Sequence, residues 1–126
     1  MPFPYLSAAA IALGAAAGAL LRWALSVFLN PLSDIPAGTL VANVAGCFLM
    51  GATLTLLPRE IPIEWRLFVT TGFLGGLTTF STFAAEVVSA AQKGRVGLSI
   101  ALIFLHVGVG LAACLLGALA AGKMRG

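Results

Sequence analysis

One stretch limits what this chain can fold into. From Gly72 to Glu86 it reads Gly-Phe-Leu-Gly-Gly-Leu-Thr-Thr-Phe-Ser-Thr-Phe-Ala-Ala-Glu. It lies inside an apolar run from about Leu67 to Ala91, long enough to cross a bilayer at ~1.5 Å per helical residue. Its middle is poor material for a smooth helix. Gly75 and Gly76 each cost roughly 1 kcal/mol relative to alanine. Four hydroxyl residues follow within five positions, Thr78, Thr79, Ser81 and Thr82, and such side chains bond local backbone and bend or open a helix. Backbone that leaves the helix at membrane depth is tolerated only where protein or water covers it. The stretch therefore predicts a spanning helix broken in mid-membrane, its break turned toward a protein interior or an ion path. The plainer reading is an intact helix whose small residues pack closely.

The rest of the chain agrees with a membrane setting. Only 9% of its 126 residues are charged and 60% are hydrophobic, where a soluble domain carries about 25% charged residues. The expectation is an all-α membrane protein, a single transmembrane domain over residues 1–126, with four transmembrane helices at about 6–29, 37–57, 67–91 and 98–121. Prolines at 31 and 36 mark the first turn, Pro58 to Glu64 reads as a short polar loop, and Gln92 to Gly97 reads as a basic turn. Trp65 and Arg66 look like interfacial anchors. The first segment lacks a basic lead and is too long for a cleavable signal core. The net charge of +3 is small and lies in the loops and tail, which does not indicate nucleic acid. Cys47 and Cys114 both fall in apolar segments; without metal or disulfide spacing they read as buried small hydrophobes.

Four spans put both termini on one side. That side, with the second loop, holds Arg59, Arg66, Lys123 and Arg125; the other holds Arg22, Lys93 and Arg95. Orientation follows the excess of basic residues in cytoplasmic loops, and four against three is almost no excess. A chain so balanced inserts both ways, which permits an antiparallel, dual-topology homodimer.

No nucleophile and base, carboxylate pair, cysteine cluster or phosphate loop is present, so the residues argue against an enzyme. Polar residues inside the spans are then the functional candidates. Thr39, Asn43 and Gly46 share one face of the second segment. Asn43 offers an amide donor at mid-depth, or a plain helix–helix hydrogen bond. Glu86 is the one acid inside a span; an unpaired carboxylate is costly there, so it sits near an interface, is paired, or is protonated part of the time. Arg22 is either a snorkelling anchor or an attractor of anions at a pore mouth. His106, with Gly110 and Cys114 at four-residue steps, lies on a narrow face of the fourth segment, most simply as a core histidine. Phe80 and Phe83 stand three apart, with Ser81 and Thr82 between them. Such phenylalanines usually pack a core. An aromatic ring is also positive at its edge, and ring edges with amide and hydroxyl donors hold a small anion without the fixed charge that would bind it too tightly to release.

Three motifs carry a family resemblance. Gly72-Phe73-Leu74-Gly75-Gly76-Leu77-Thr78-Thr79-Phe80-Ser81-Thr82-Phe83 resembles the signature of the Fluc (CrcB) fluoride channels. Gly14-Ala15-Ala16-Ala17-Gly18-Ala19-Leu20-Leu21-Arg22-Trp23 is similar to that family's first-helix motif, and Gly38-Thr39-Leu40-Val41-Ala42-Asn43-Val44-Ala45-Gly46 to its second. The resemblance covers the whole length, with the motifs in order. It implies a passive fluoride channel of a prokaryotic inner membrane, built as an antiparallel homodimer with two pathways. It further implies that broken third helices cross at the dimer centre, where a sodium ion is held by backbone carbonyls at positions matching Gly75 and Thr78. Phe80 and Phe83, with Asn43, match pathway residues; Arg22 matches an entrance residue and Glu86 one toward the pore end. The family also uses a track of hydroxyl side chains, for which Thr39, Ser81 and Thr82 are candidates. Gly110 stands where some relatives have serine, which leaves His106 as a fourth-helix candidate. Fluoride, a second copy of the chain and the lipid bilayer are the partners implied. The competing reading is a small proton-coupled multidrug exporter, also four spans long, but such exporters rely on an acid in the first span, and none is there.

Overall fold

The computed structural model describes residues 3–126, and these form helices and turns without strands. Four stretches are long and apolar enough to cross a membrane: Tyr5–Leu32, Ala37–Leu56, Ile63–Gln92 and Val96–Arg125. Helix α1 (Tyr5–Leu29) ends in a 3-10 turn at Asn30–Leu32. Helix α2 (Ala37–Leu56) follows Pro36, which has no side chain to cap it. Asn30 supplies the cap from across the turn, its Oδ1 accepting from the N–H groups of Gly38 (2.7 Å) and Thr39 (3.3 Å). Two donors that a helix start leaves unpaired are thereby satisfied.

The third span is assembled from pieces. Helix α3 (Ile63–Leu67) widens into π-helical turns at Phe68–Leu74, tightens again as α4 (Gly75–Leu77), and resumes as α5 (Phe80–Gln92). Between α4 and α5 two residues are extended, Thr78 (φ −85°, ψ 152°) and Thr79 (φ −149°, ψ 119°). Gly75 and Gly76 stay helical, so the interruption falls on the first two hydroxyl residues and spares the glycines, with Ser81 and Thr82 already inside α5. The fourth span is α6 (Val96–Ile103), π-helical turns at Phe104–Val109, and α7 (Gly110–Arg125). The turn before it uses Gly94 at φ 76°, a conformation that glycine adopts without strain.

Two ends differ from the sequence expectation. The third span starts at Ile63, inside what reads as a polar loop, because Pro62 precedes it and proline's fixed φ suits a helix start. The fourth runs on to Arg125 past the last apolar residues, with Lys123 and Arg125 in its final turn. Basic side chains are favourable at a helix C-terminus, so the helix outlasts its apolar stretch.

Glycines decide the packing. A side chain at Gly14 or Gly18 of α1 would strike the backbone carbonyl of Phe68 or Phe73, and one at Gly72 or Gly76 would strike that of Ile11 or Ala15. The first and third spans thus run side by side in the same direction with backbones in near contact, the use to which small-residue stripes are put in membranes. The second and fourth spans pair likewise: Gly51 lies against the carbonyl of Cys114 and Gly117 against that of Phe48. Gly46 leaves room for the Thr78 side chain at the interruption. The outer surface carries many exposed large hydrophobics, Leu13, Trp23, Phe28, Phe104 and Leu111 among them, as a lipid or partner contact requires.

Candidate functional site

The interruption of the third span is held from the second. Thr79 is extended, so its N–H and C=O leave the helical ladder, and the side-chain amide of Asn43 takes both. Thr79 N–H donates to Asn43 Oδ1 (2.7 Å), and Asn43 Nδ2 donates to the Thr79 carbonyl (3.0 Å). Thr79 also caps α5, its Oγ1 accepting from the Thr82 N–H at 3.2 Å. This is the usual service of a threonine at a helix N-cap.

Because Oδ1 must face the Thr79 N–H, the amide nitrogen of Asn43 faces His106. Its second N–H meets His106 Nδ1 at 2.9 Å. That pairing makes Nδ1 the acceptor and leaves the ring proton on Nε2. His106 is buried, and its Nε2 has no partner. The imidazole stacks on Phe83 (centroids 4.5 Å, planes 25° apart), and Phe83 meets Phe80 edge-to-face (5.4 Å, 72°). Phe83 is only 6% exposed, whereas Phe80 is 75% exposed on the single chain. These groups, with Cys47, Thr78, Thr79 and Val107, enclose a pocket of about 210 Å³.

A second pocket, of about 360 Å³, lies against the following turns of α5. Thr82, Glu86 and Ser89 line one wall, and Asp34, Lys93 and Arg95 stand among its other residues. Buried Thr39 donates its hydroxyl to Glu86 Oε1 at 2.6 Å, while Glu86 Oε2 is buried without a partner. Arg95 and Asp34 form an exposed ion pair at 3.0 Å.

The structure thus brings Phe80, Phe83, Asn43 and His106 into one site, and Thr39, Thr82 and Glu86 into a neighbouring one. Ser81 is exposed and lines neither pocket; its Oγ lies 3.4 Å from Thr79 Oγ1. Arg22 also stands apart, its Nε donating to the Gly76 carbonyl at 3.1 Å, where it fastens α1 to the third span just before the interruption. Both N–H groups of Asn43 are engaged, so in this conformation it serves as the clamp on Thr79 and has no free donor. Two residues at the centre are not assigned to the site by the sequence, which reads Thr79 only as part of the break and Cys47 only as a small hydrophobe. Thr79 carried an N-cap signal, a threonine directly before a helical run. Cys47 follows Asn43 by four residues and so shares its face.

The carbonyls of Gly75 and Thr78 are placed differently from those of a continuous helix. The donor four residues beyond Gly75 is the Thr79 N–H, which goes to Asn43. The donor four beyond Thr78 is the Thr82 N–H, which goes to Thr79 Oγ1. Among the described residues no three metal-ligating side chains come together, so a cation near the interruption has carbonyl and hydroxyl oxygens to use.

Comparison with known proteins places these features in a lineage. Residues 9–118 match the family described as CrcB-like protein, Camphor Resistance (CrcB). A fluoride-specific ion channel FluC of Pseudomonas aeruginosa (strain UCBPP-PA14) is 52% identical over 120 residues, which cover 93% of this chain and 94% of the relative. One from Burkholderia thailandensis (strain E264) is 48% identical over 106 residues, 82% of this chain and 83% of the relative. One from Xanthomonas oryzae pv. oryzae (strain MAFF 311018) is 44% identical over 126 residues, 97% of this chain and 93% of the relative.

Proposed function

This chain belongs to the CrcB-like family, and from that premise we propose that it is a passive, fluoride-specific channel that lets a prokaryotic cell discharge fluoride from its cytoplasm. The observation that carries the reading is the set lining the smaller pocket: Phe80, Phe83, His106, Thr78 and Thr79 beside the Asn43 clamp, with no lysine or arginine among them.

That set suits fluoride. The ion holds its water strongly, so a path must replace several hydrogen bonds at once. Among the lining residues, His106 carries an N–H without a partner and the Thr79 hydroxyl keeps its proton to donate, while the Thr78 hydroxyl is committed to the Leu74 carbonyl; the ring edges add weaker attraction. A lysine or arginine in the same place would bind the ion too tightly for it to leave. Beyond this pocket the wall continues along α5 through Thr82 and Glu86 toward Lys93, whose positive charge draws anions, while Arg95 beside it is paired with Asp34. Transport needs no energy-coupling domain. Hydrogen fluoride enters neutral and ionises in the cytoplasm, and a negative interior expels the anion at ~2.3 kcal/mol per charge per 100 mV.

The assembly belongs to the same proposal. Two copies pair antiparallel in the inner membrane, covering the exposed Phe80 with protein, and the interruptions at Thr78 and Thr79 lie in mid-membrane where the copies meet. The diverted donors next to Gly75 and Thr78 support a sodium site there. The carbonyls of those residues, taken from both copies, are neutral hard oxygens of the kind that coordinate such cations at helix breaks. When bound, sodium would supply positive charge to carbonyl oxygens whose usual helical donors are directed elsewhere.

The direct test is purified protein in liposomes loaded with fluoride. On adding a potassium ionophore, an electrode outside should record rapid fluoride release without any proton gradient, and chloride-loaded liposomes should release little. Absence of fluoride release, or release only with a proton gradient, refutes the channel. Topology has its own check: a probe attached at Lys93, in the turn after α5, should be reachable from both faces of intact inner membranes. Reaction from one face alone refutes dual insertion.

A further inference from the structure

The smaller pocket has a wall that the proposed path does not use. Cys47 lines it and is half-buried. On α2 it follows Asn43 by four residues; on the fourth span Gly110 follows His106 by four. The two spans run in the same direction, so the contact between Asn43 and His106 is followed one turn later by a contact between Cys47 and Gly110. A Cβ atom built on Gly110 would lie 3.6 Å from Cys47 Sγ. Gly110 has no side chain, and the thiol takes the space beside it. A second observation marks the same wall as polar. His106, 7% exposed, has a buried Nε2 without any partner, one helical turn from the thiol.

We propose that Cys47 forms part of the wall of the fluoride path, one turn beyond His106, and that its thiol makes the path open to block by soft, thiol-seeking cations such as Ag⁺. The proposal rests on the channel reading of this pocket. Silver binds as the S–H bond breaks and an S–Ag bond forms, with the proton passing to water. No oxidant or reductant takes part. Thiolates are preferred ligands of soft metal ions, and imidazole is a second ligand type for such ions within the same small space. Hydroxyls, which supply most other polar groups here, bind silver poorly. Cys114 lies two turns beyond His106 on the same face, within electrostatic reach of the Cys47 thiol, and does not line the pocket, so its variant separates block through Cys47 alone from silver shared between two thiols.

The experiment is fluoride efflux from liposomes in chloride-free buffer, with and without micromolar silver nitrate, beside mass spectrometry of silver bound per chain. The parent should lose its efflux to the background of protein-free liposomes and recover on addition of a small thiol. C47S should conduct and resist silver, and C114S should be blocked like the parent. C47A replaces C47S should the serine variant elute as aggregate. A C47S or C47A channel that conducts and is blocked like the parent overturns the proposal. So does a parent that conducts unchanged with silver bound to Cys47. Silver on Cys47 in a parent that never releases fluoride removes the path, and with it both the proposal and the channel reading.

Discussion

Isoleucine in place of Phe83 should lower fluoride efflux from liposomes by about tenfold or more, with the protein eluting as the parent does. Isoleucine keeps apolarity and most of the bulk, so the substitution removes chiefly the ring. Phe83 is the inner ring of the site, 6% exposed, with one face on His106 at 4.5 Å and Phe80 edge-to-face at 5.4 Å. Aromatic contacts of this kind are worth about 0.5–1.5 kcal/mol beyond burial. A barrier raised by about 1.4 kcal/mol slows a step roughly tenfold. Losing the ring removes its edge from the ion and its face from the imidazole, so both the attraction and the aim of His106 suffer. The same change at Phe80 should act in the same direction through the ion alone, because Phe80 does not touch His106. Parental efflux in both isoleucine variants would mean that the rings only pack, and that fluoride passes elsewhere.

The second large effect is expected at Asn43, from aspartate. The shape is unchanged and one oxygen still accepts from the Thr79 N–H. The other position has lost the amide's two donors, one serving the Thr79 carbonyl and the other His106 Nδ1. A protonated aspartate offers one donor for those two acceptors, and an ionised one offers none. A buried group left unpaired costs about 1–3 kcal/mol, so N43D should unfold at a clearly lower temperature in detergent and release fluoride at background rates. An acid in this wall also repels the anion. Unchanged efflux together with an unchanged unfolding midpoint would show that the clamp on Thr79 is dispensable.

Much of this architecture is legible in the residues, and the gaps have physical causes. Apolar runs announce the four spanning helices, because no other backbone arrangement of this length satisfies its own polar groups in lipid apart from a closed barrel. Helix ends are less legible where charged residues sit within a last or first turn, as Glu64, Arg66, Lys123 and Arg125 do. The glycine pair misleads in part. Gly76 is there for the approach of Ala15, while Thr78 and Thr79 after it leave the helix and Ser81 and Thr82 stay in it. The spacing of Phe80 and Phe83 places both on α5, but nothing in spacing says that Asn43 and His106 meet at 2.9 Å. That depends on the register between two parallel helices, which Gly51 and Gly117 set by backbone contact. The partner of Arg22 was hidden for a related reason: it is a carbonyl, that of Gly76, and every residue carries one.

The clamp on Thr79 also orders events during synthesis. Asn43 leaves the ribosome thirty-six residues before Thr79, so the second span is already available when the third emerges with two residues outside its helix. The opened backbone finds its donor and acceptor waiting and need not enter lipid bare. His106 arrives last, twenty-seven residues after Thr79. Until then one N–H of Asn43 has no acceptor. A nascent chain halted after the third span therefore holds its interruption in place but leaves the wall of the smaller pocket unfinished, and insertion of the fourth span both completes that wall and satisfies the last donor of the clamp.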